Sequence, residues 1–363
     1  MKSYFGKNLK VSIWGGSHEP AIGVDIEGLP LGTVIDMNEL QAFLSRRAPG
    51  NSPFATKRKE PDIAIPVKGL AEDGNHLVVN SNVVSLEIRN TDTRSSDYSA
   101  LRTVPRPGHA DYTARLRYGD SLNMAGGGPF SARMTAPLCM AGGIALQILR
   151  KQGINIGAHI FSVADACDEA FDPVNVTAAE LEALLGSSFP VLDENAGEEM
   201  QTKILEARDT LDSVGGIVEV CALGVPGGIG GAMYDGIESA LAPIFFGIPA
   251  VKGVEFGAGF DATLMKGSEN NDPFYYENGE VKTRTNNHGG ILGGISSGMP
   301  IIARLAFKPT PSISREQDSV DLENQVNAKL VVKGRHDSCV VVRAVPVVEA
   351  ALAIGLLDCM MEK

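Results

Sequence analysis

Four of the six histidines lie in short, glycine-rich and polar segments that are far apart along the chain. These segments are Gly15-Gly16-Ser17-His18, Arg106-Pro107-Gly108-His109-Ala110-Asp111, Asn286-Asn287-His288-Gly289-Gly290 and Gly334-Arg335-His336-Asp337. Histidine titrates near neutral pH and is the usual proton carrier in catalysis, and glycine lets a backbone approach a ligand closely. Because arginine and aspartate accompany the histidines, the pattern predicts several loops that converge on one anion-binding, proton-transferring site. We therefore expect an enzyme.

Each segment also has a simpler interpretation. His18 is compatible with a surface turn, and Arg106 with His109 is compatible with a salt-bridged loop. Covalent chemistry at Ser17 is disfavoured because the GxSxG elbow is absent. The remaining histidines, His76 and His159, lie in ordinary strand contexts and are assigned no role. The recurrence of such segments, rather than any one of them, favours a ligand site.

Composition excludes several classes of protein. The chain has 363 residues, is 44% hydrophobic and carries a net charge of −12, so it can bury a large core and is a poor partner for nucleic acid or an anionic membrane. Residues 1–7 lack an apolar secretion signal, and the longest apolar stretch, 134–149, is predicted to be too short and broken to span a bilayer. Five cysteines without CxxC spacing predict free thiols in a reducing cytoplasm and no metal site.

Hydrophobic periodicity predicts the elements that position these segments. Alternating or β-branched runs predict strands at residues 9–14, 83–88, 154–163, 217–223, 300–307 and 330–332. Capping signals and helical spacing predict helices at residues 36–48, 131–151, 177–185, 198–211, 234–246 and 347–361. The helix at 131–151 is apolar and small almost all round, so we expect it to be buried between layers. Strands and helices do not alternate strictly, which favours an α+β fold with antiparallel sheets.

Glycine clusters at 126–128, 215–216, 227–231 and 289–294 form neither a Walker A loop nor a Rossmann fingerprint. The polar stretch 267–288 has turn signals and is interpreted as a flap. The acidic stretch 165–211 is interpreted as a peripheral helical excursion from a single domain, residues 1–363.

Ten fragments along the chain resemble the chorismate synthase family, in the order in which that family has them. They are Ser17-His18, Arg46-Arg47-Ala-Pro49-Gly50, Arg58-Lys-Glu60-Pro-Asp62, Arg106-Pro-Gly-His109-Ala-Asp111, Ser131-Ala-Arg133, Asp212-Ser-Val-Gly-Gly216, Val251-Lys-Gly-Val-Glu255-Phe-Gly257, Gly289-Gly-Ile-Leu-Gly-Gly294, Lys308-Pro-Thr310 and Gly334-Arg-His-Asp337. The resemblance implies a β-α-β sandwich, with central helices between antiparallel sheets, and a homotetramer.

The same resemblance implies a lyase that acts at the end of the shikimate pathway, in aromatic amino acid biosynthesis. The implied reaction converts 5-enolpyruvylshikimate-3-phosphate to chorismate and phosphate by 1,4-anti elimination. It depends on reduced FMN although there is no net redox change. No pyridine-nucleotide fingerprint is evident, so an external flavin reductase is the simpler expectation, with direct use of NADPH as the alternative.

By resemblance, a cage of arginines binds the phosphate and carboxylates of the substrate, since the guanidinium group suits both. The substrate-binding residues implied are Ser17, Arg47, Arg106, Ser131, Arg133 and Arg335. His109 resembles the acid beside the departing phosphate, His18 the histidine that manages protonation of the reduced flavin, and Asp337 the carboxylate that takes a proton from flavin nitrogen 5. The FMN-binding residues implied are Ser131, Pro249, Ala250, Gly293, Lys308, Pro309, Thr310, Pro311, Ser312 and Arg335.

The chain departs from the family pattern at Gly16, Pro53, Pro129-Phe130 and His288. An arginine is common in place of Pro53, and an Arg-Ser pair in place of Pro129-Phe130. The alternative is therefore a diverged member that binds flavin or phosphorylated ligands without this catalysis. A purely structural protein would not need arginine, histidine and aspartate at so many turns.

Overall fold

The computed structural model describes residues 3–49, 60–73, 76–91, 103–332, 334 and 336–361. Its strands are β1 (Ser3–Phe5), β2 (Lys10–Gly15), β3 (Ala21–Glu27), β4 (Val34–Ile35), β5 (Ile65–Lys68), β6 (Leu70–Asp73), β7 (His76–Val79), β8 (Val83–Arg89), β9 (Asn155–Val163), β10 (Ala166–Cys167), β11 (Gly216–Leu223), β12 (Val251–Phe256), β13 (Phe274–Glu277), β14 (Glu280–Thr283), β15 (Ile291–Leu292), β16 (Ile295–Ser296), β17 (Ile301–Phe307), β18 (Gln317–Asp321) and β19 (Val326–Leu330). Its α-helices are α1 (Met37–Arg47), α2 (Asp111–Tyr118), α3 (Thr135–Lys151), α4 (Ala178–Leu185), α5 (Glu194–Asp209), α6 (Ile237–Gly247), α7 (Gly267–Asn270) and α8 (Val341–Met360).

Two five-stranded antiparallel sheets form the outer layers. The first has the strand order β1-β2-β3-β8-β5 and the second has the order β10-β9-β11-β17-β12. Helices α3 and α8 pack against each other between them, with α3 on β3 and β8 of the first sheet and α8 on β9 and β11 of the second. This arrangement confirms the predicted α+β class and the β-α-β sandwich. The single-domain organisation and the peripheral position of residues 165–211, which carry α4 and α5, stay predictions.

The two central helices approach closely because α3 is small and apolar, as its sequence predicts. A Cβ atom on Gly142 would lie 2.2 Å from the Cβ of Ala350, so only glycine allows this crossing. The one amide side chain in α3, Gln147, exchanges two hydrogen bonds of 2.9 Å with the backbone of Asp36. Its burial is therefore compensated, and the N-terminus of α1 is tied to the core.

Several element boundaries differ from the sequence prediction. Helix α3 begins at Thr135, because Ser131 caps a separate 3₁₀ turn by accepting a hydrogen bond from the N–H of Arg133. Helix α8 begins at Val341, six residues before the predicted start, and contains Pro346 in its second turn. The strand predicted at 330–332 ends instead at Leu330.

The long apolar stretch, which the sequence predicts does not span a bilayer, is part of a helical segment that could cross a membrane by length and composition alone. Residues Ala132–Lys151 form a 20-residue helical segment with a mean hydropathy of 1.3 in its most apolar window. However, 83% of that window is buried inside the protein. The segment therefore has the burial of a core helix, which covers its apolar surface with side chains rather than lipid.

A buried histidine links β9 to the segment that precedes α4. His159 is 0% exposed, and its ring nitrogens lie 2.9 Å from Asp168 Oδ2 and 2.9 Å from Glu219 Oε2. Because ionised carboxylates only accept hydrogen bonds, both ring nitrogens donate and the imidazole carries a positive charge. Burial alone would lower the pKa of His159, but the two carboxylates outweigh it and raise that pKa. The sequence pattern around His159 indicates no role, whereas in the structure His159 joins two buried carboxylates.

Replacing His159 with glutamine removes a cation from between two buried carboxylates, so the free energy of unfolding at pH 6 should fall by roughly 3–5 kcal/mol. Since the pKa of His159 is raised on folding, this stabilisation is complete below the unfolded value of about 6.5 and is lost as pH rises through the folded pKa. Denaturant melts from pH 6 to 9 should show the difference between wild type and His159→Gln shrinking. The exposed His76→Gln variant is the control, and a pH-independent difference would contradict a charged His159.

Candidate active site

A cavity of about 370 Å³ lies where the end of α1, the turn before α3 and the start of α8 meet. Its volume falls in the range of small-molecule sites, about 300–1,000 Å³. Among the described residues, five cationic side chains line it against two carboxylates: Arg47, Arg106, Arg133, Lys308 and Arg343 against Glu60 and Asp337. The cavity is therefore suited to an anionic ligand, although the chain as a whole is acidic.

Two of the cavity arginines are held by one buried carboxylate. One oxygen of Asp62 bonds to Nη1 of Arg47, and the other bonds to Nη1 of Arg133. Burial raises the pKa of Asp62, but the two arginines outweigh burial and lower it, so the carboxylate stays ionised. Arg47 also donates from Nε to Thr135 Oγ1 over 3.0 Å. Because two adjacent guanidinium groups repel each other, Asp62 sets their spacing.

The guanidinium group of Arg133 has one nitrogen without a hydrogen-bond partner among the described residues. Its Nε lies 3.1 Å from both Glu60 Oε2 and Asn90 Oδ1. Its Nη2 is buried and has no hydrogen-bond partner within the described residues. A buried donor without a partner costs about 1–3 kcal/mol, so a ligand oxygen at this position would be stabilising.

The turn before α2 forms a compact arginine–aspartate–histidine cluster. Arg106 donates from Nε and Nη2 to the two carboxylate oxygens of Asp111, each over 2.7 Å, and from Nη1 to Ser312 Oγ over 3.1 Å. Burial raises the pKa of Asp111, but the bonds from Arg106 and His109 outweigh it and hold that pKa well below its usual range.

The proton on the His109 ring follows from its neighbours. Nδ1 lies 2.7 Å from Asp111 Oδ1 and 3.1 Å from Arg106 Nη2. Because Asp111 can only accept and Arg106 can only donate, the shorter contact assigns the Nδ1 proton to the bond with Asp111. The Nε2 atom is then the nitrogen available to a ligand, in the arrangement by which a carboxylate orients a catalytic histidine.

A glycine turn separates His109 from His18. Gly126 and Gly127 have φ values of +62° and +92°. A Cβ atom on Gly126 would lie 2.1 Å from His18 Cε1, and one on Gly127 would lie 3.1 Å from His109 Nε2. Ser17 is buried, with its Oγ 3.1 Å from His18 Nδ1 and from the carbonyl oxygens at 125 and 126. Ser17 and His18 are not among the residues that line the cavity, and Ser17 braces the turn.

Asp337 lines the cavity, and a cation of α8 holds its carboxylate. Arg343 donates from Nη1 to Asp337 Oδ2 over 2.8 Å. Arg335 and Pro53 lie outside the described residues. Sequence reasoning missed Arg343, and the signal that could have found it is a lone cation in the apolar run 340–357.

Most of the residues matched to the FMN site also border the cavity. Those that line it are Ser131, Pro249, Ala250, Lys308, Thr310, Pro311 and Ser312, whereas Gly293 and Pro309 are not among them. Gly293 lies in the turn between β15 and β16. Phe130, one of the departures, also lines the cavity. His288 is not among these residues, and it contacts Asp272 and Ser297.

Replacing Asp62 with asparagine leaves two buried arginines without their shared carboxylate. The free energy of unfolding should fall by roughly 3–5 kcal/mol, measured by urea titration. The matched control is Asp318→Asn, which breaks an exposed pair with Lys329 and should change stability by at most about 0.5 kcal/mol. Wild-type stability in Asp62→Asn would show that the bridge does not hold the arginines.

Comparisons with known proteins support the family resemblance that the sequence motifs indicate. A family model described as chorismate synthase matches residues 9–361. A chorismate synthase from Lancefieldella parvula is 45% identical, over 99% of this chain and 96% of that protein. One from Thermococcus gammatolerans is 46% identical, over 97% of this chain and 96% of that protein. A crystal structure of chorismate synthase aligns with a TM-score of 0.76 and 26% identity, covering 98% of this chain and 93% of the other. The chain therefore belongs to the chorismate synthase family of enzymes.

Proposed function

We propose that this protein is an active lyase that converts 5-enolpyruvylshikimate-3-phosphate to chorismate and phosphate by 1,4-anti elimination, in the presence of reduced FMN. The observation that carries the proposal is one cationic cavity lined by both His109 and Asp337, in a chain that matches the family over residues 9–361. Such a cavity supplies anion recognition together with an acid and a base.

The substrate carries a phosphate and two carboxylates, so its binding requires several fixed cations. Arg47, Arg106 and Arg133 supply them in this proposal, with Arg335 as a fourth and Ser131 as a hydrogen-bond donor. The buried Nη2 of Arg133, without a partner among the described residues, is the donor that a substrate oxygen would satisfy. Ser17 affects substrate binding indirectly in this proposal, because its hydroxyl holds the glycine turn by contacting the carbonyl oxygens at 125 and 126.

His109 is the proposed acid for the departing phosphate. In its doubly protonated form the ring keeps the Nδ1 proton in the bond to Asp111 and donates the Nε2 proton to the leaving oxygen. A positioned acid of this kind contributes about 10²–10⁴-fold to a rate. His18, which lies across the glycine turn, is proposed to control the protonation of the reduced flavin. Asp337 is the proposed base, and the cation that orients it is Arg343.

The residues present fit a phosphate-bearing cofactor. Thr310 Oγ1 is buried with no hydrogen-bond partner in the described parts of the chain, and burial together with Lys252 lowers the pKa of Lys308. An anion would satisfy the hydroxyl and stabilise the charged lysine. We assign FMN to Ser131, Pro249, Ala250, Lys308 to Ser312 and Arg335, with Gly293 carried over from the family. Bound FMN in its reduced form supplies the acceptor for the hydrogen that leaves substrate carbon 6.

The decisive experiment is anaerobic turnover of 5-enolpyruvylshikimate-3-phosphate with chemically reduced FMN, followed by the absorbance of chorismate. We expect turnover with reduced FMN, none with oxidised FMN, and tighter FMN binding when substrate is present. Turnover that is indifferent to flavin would contradict the proposal. Binding of both ligands without turnover would identify the chain as a diverged member of the family.

Asp337→Asn keeps the size of the side chain but cannot accept a proton. Turnover should therefore fall by about 10²–10⁴-fold, while titrations still show binding of reduced FMN and substrate. Asp209→Asn, which removes an exposed ion pair with Arg208, is the control with wild-type turnover. If binding is lost together with turnover, Asp337 holds the arginines in place and the base lies elsewhere.

We also propose a cytoplasmic homotetramer, with FMN reduced by an external reductase rather than directly by NADPH. Large apolar side chains are exposed near β12 and β13, among them Phe260, Leu264 and Tyr276, and burying such residues favours self-association. Light scattering of the purified protein should give four times the 38.3 kDa chain mass. A monomer would contradict the assembly without affecting the chemistry.

A further inference from the structure

Resting on the proposed function, we propose that Arg343 is a positioning residue that fixes the base Asp337 and the anion-binding arginines in one unit. The side chain of Arg343 reaches two acceptors from different parts of the chain. Its Nη1 donates to Asp337 Oδ2 over 2.8 Å, and its Nε donates to the carbonyl oxygen of Arg47 over 3.1 Å. The side chains of Arg343 and Asp337 are 16% and 12% exposed, so water screens this pair weakly.

Helix stability does not account for a cation at this position. Arg343 lies in the first turn of α8, Val341–Met360. The N-terminus of a helix carries partial positive charge, so an arginine there is electrostatically unfavourable. Its burial among the valines and alanines of α8 adds a desolvation cost. The compensation comes from the two acceptors named above, and both belong to the cavity.

Through these acceptors Arg343 joins the two halves of the site. Arg47 is the last residue of α1, where carbonyl oxygens have no partner inside the helix, and Arg343 satisfies one of them. The side chain of Arg47 bonds Asp62, which in turn bonds Arg133. A continuous series of contacts therefore runs from the base to the donor proposed for the substrate. A shift of Arg343 would displace Asp337 relative to the arginines.

The geometry requires a guanidinium group rather than charge alone. Nε and Nη1 are held in one plane and serve acceptors in two directions, whereas a lysine ammonium is a point charge on a flexible stem. Arg343→Lys therefore keeps the charge near Asp337 and loses the link to Arg47. Arg343→Gln removes both.

The test compares the two variants with the wild type in anaerobic turnover, with kcat and KM measured for each. Since a misplacement of about 1 Å can cost about 10²-fold in rate, kcat of Arg343→Lys should fall about 10²-fold while its KM changes less. Arg343→Gln loses both contacts, so its kcat should fall at least as far, again with a larger change in kcat than in KM.

The matched control is Arg46→Gln. Arg46 also links α1 to α8, through two bonds to Glu349, but it does not line the main cavity. This variant should lose stability and keep the wild-type kcat and KM. An unchanged kcat in both Arg343 variants, or an equal fall of kcat in Arg46→Gln, would overturn the positioning role.

An inactive wild type would refute the proposed function without deciding the role of Arg343. A double-mutant cycle of Asp337→Asn and Arg343→Gln, measured by urea unfolding, decides it in that case. We expect non-additive effects, because each variant removes the same contact. Strict additivity would overturn the proposal, whatever the activity of the protein.

Discussion

The site depends on the ionised carboxylate of Asp62 between Arg47 and Arg133. To bind the anionic substrate proposed for it, an acidic chain must hold several cations close together in a place with little water. In such a place the cations repel one another. A carboxylate bonded through both oxygens reduces that repulsion and sets the distance between the guanidinium groups. The arginines are thus arranged before any ligand arrives, and the ordering cost on binding is small.

Carboxylates also hold two further arginines that line the cavity, Arg106 and Arg343. Arg106 is held by both oxygens of Asp111, and Arg343 is held by Asp337. Both carboxylates also have a role in the proposed chemistry. Asp111 orients His109, and Asp337 is the proposed base. In the proposed function, anion binding and proton transfer therefore depend on some of the same residues, so a substitution that alters one is expected to alter the other.

The sandwich explains why these groups meet. Helices α3 and α8 are apolar almost throughout because they lie between two sheets, and their polar residues are confined to their ends and to a few satisfied positions. The turn before α3 carries Arg133 and the first turn of α8 carries Arg343, while α1 ends at Arg47 beside both. The layered core thus excludes water from the helix bodies and collects the charges at one edge.

The sequence by itself determined the α+β class, the main strands, the buried character of α3 and the cluster of Arg106, His109 and Asp111. Periodicity and short-range turns specify these features, because the groups involved lie within a few residues of one another. The pairings of Asp62 with Arg133, of Arg343 with Arg47 and of His159 with Glu219 join residues 71, 296 and 60 positions apart. No local pattern contains such contacts, since they depend on how the layers stack and on which helix ends then meet. For that reason only the tertiary structure decided which carboxylates hold Arg47, Arg133 and Arg343, and which of the predicted residues line the cavity.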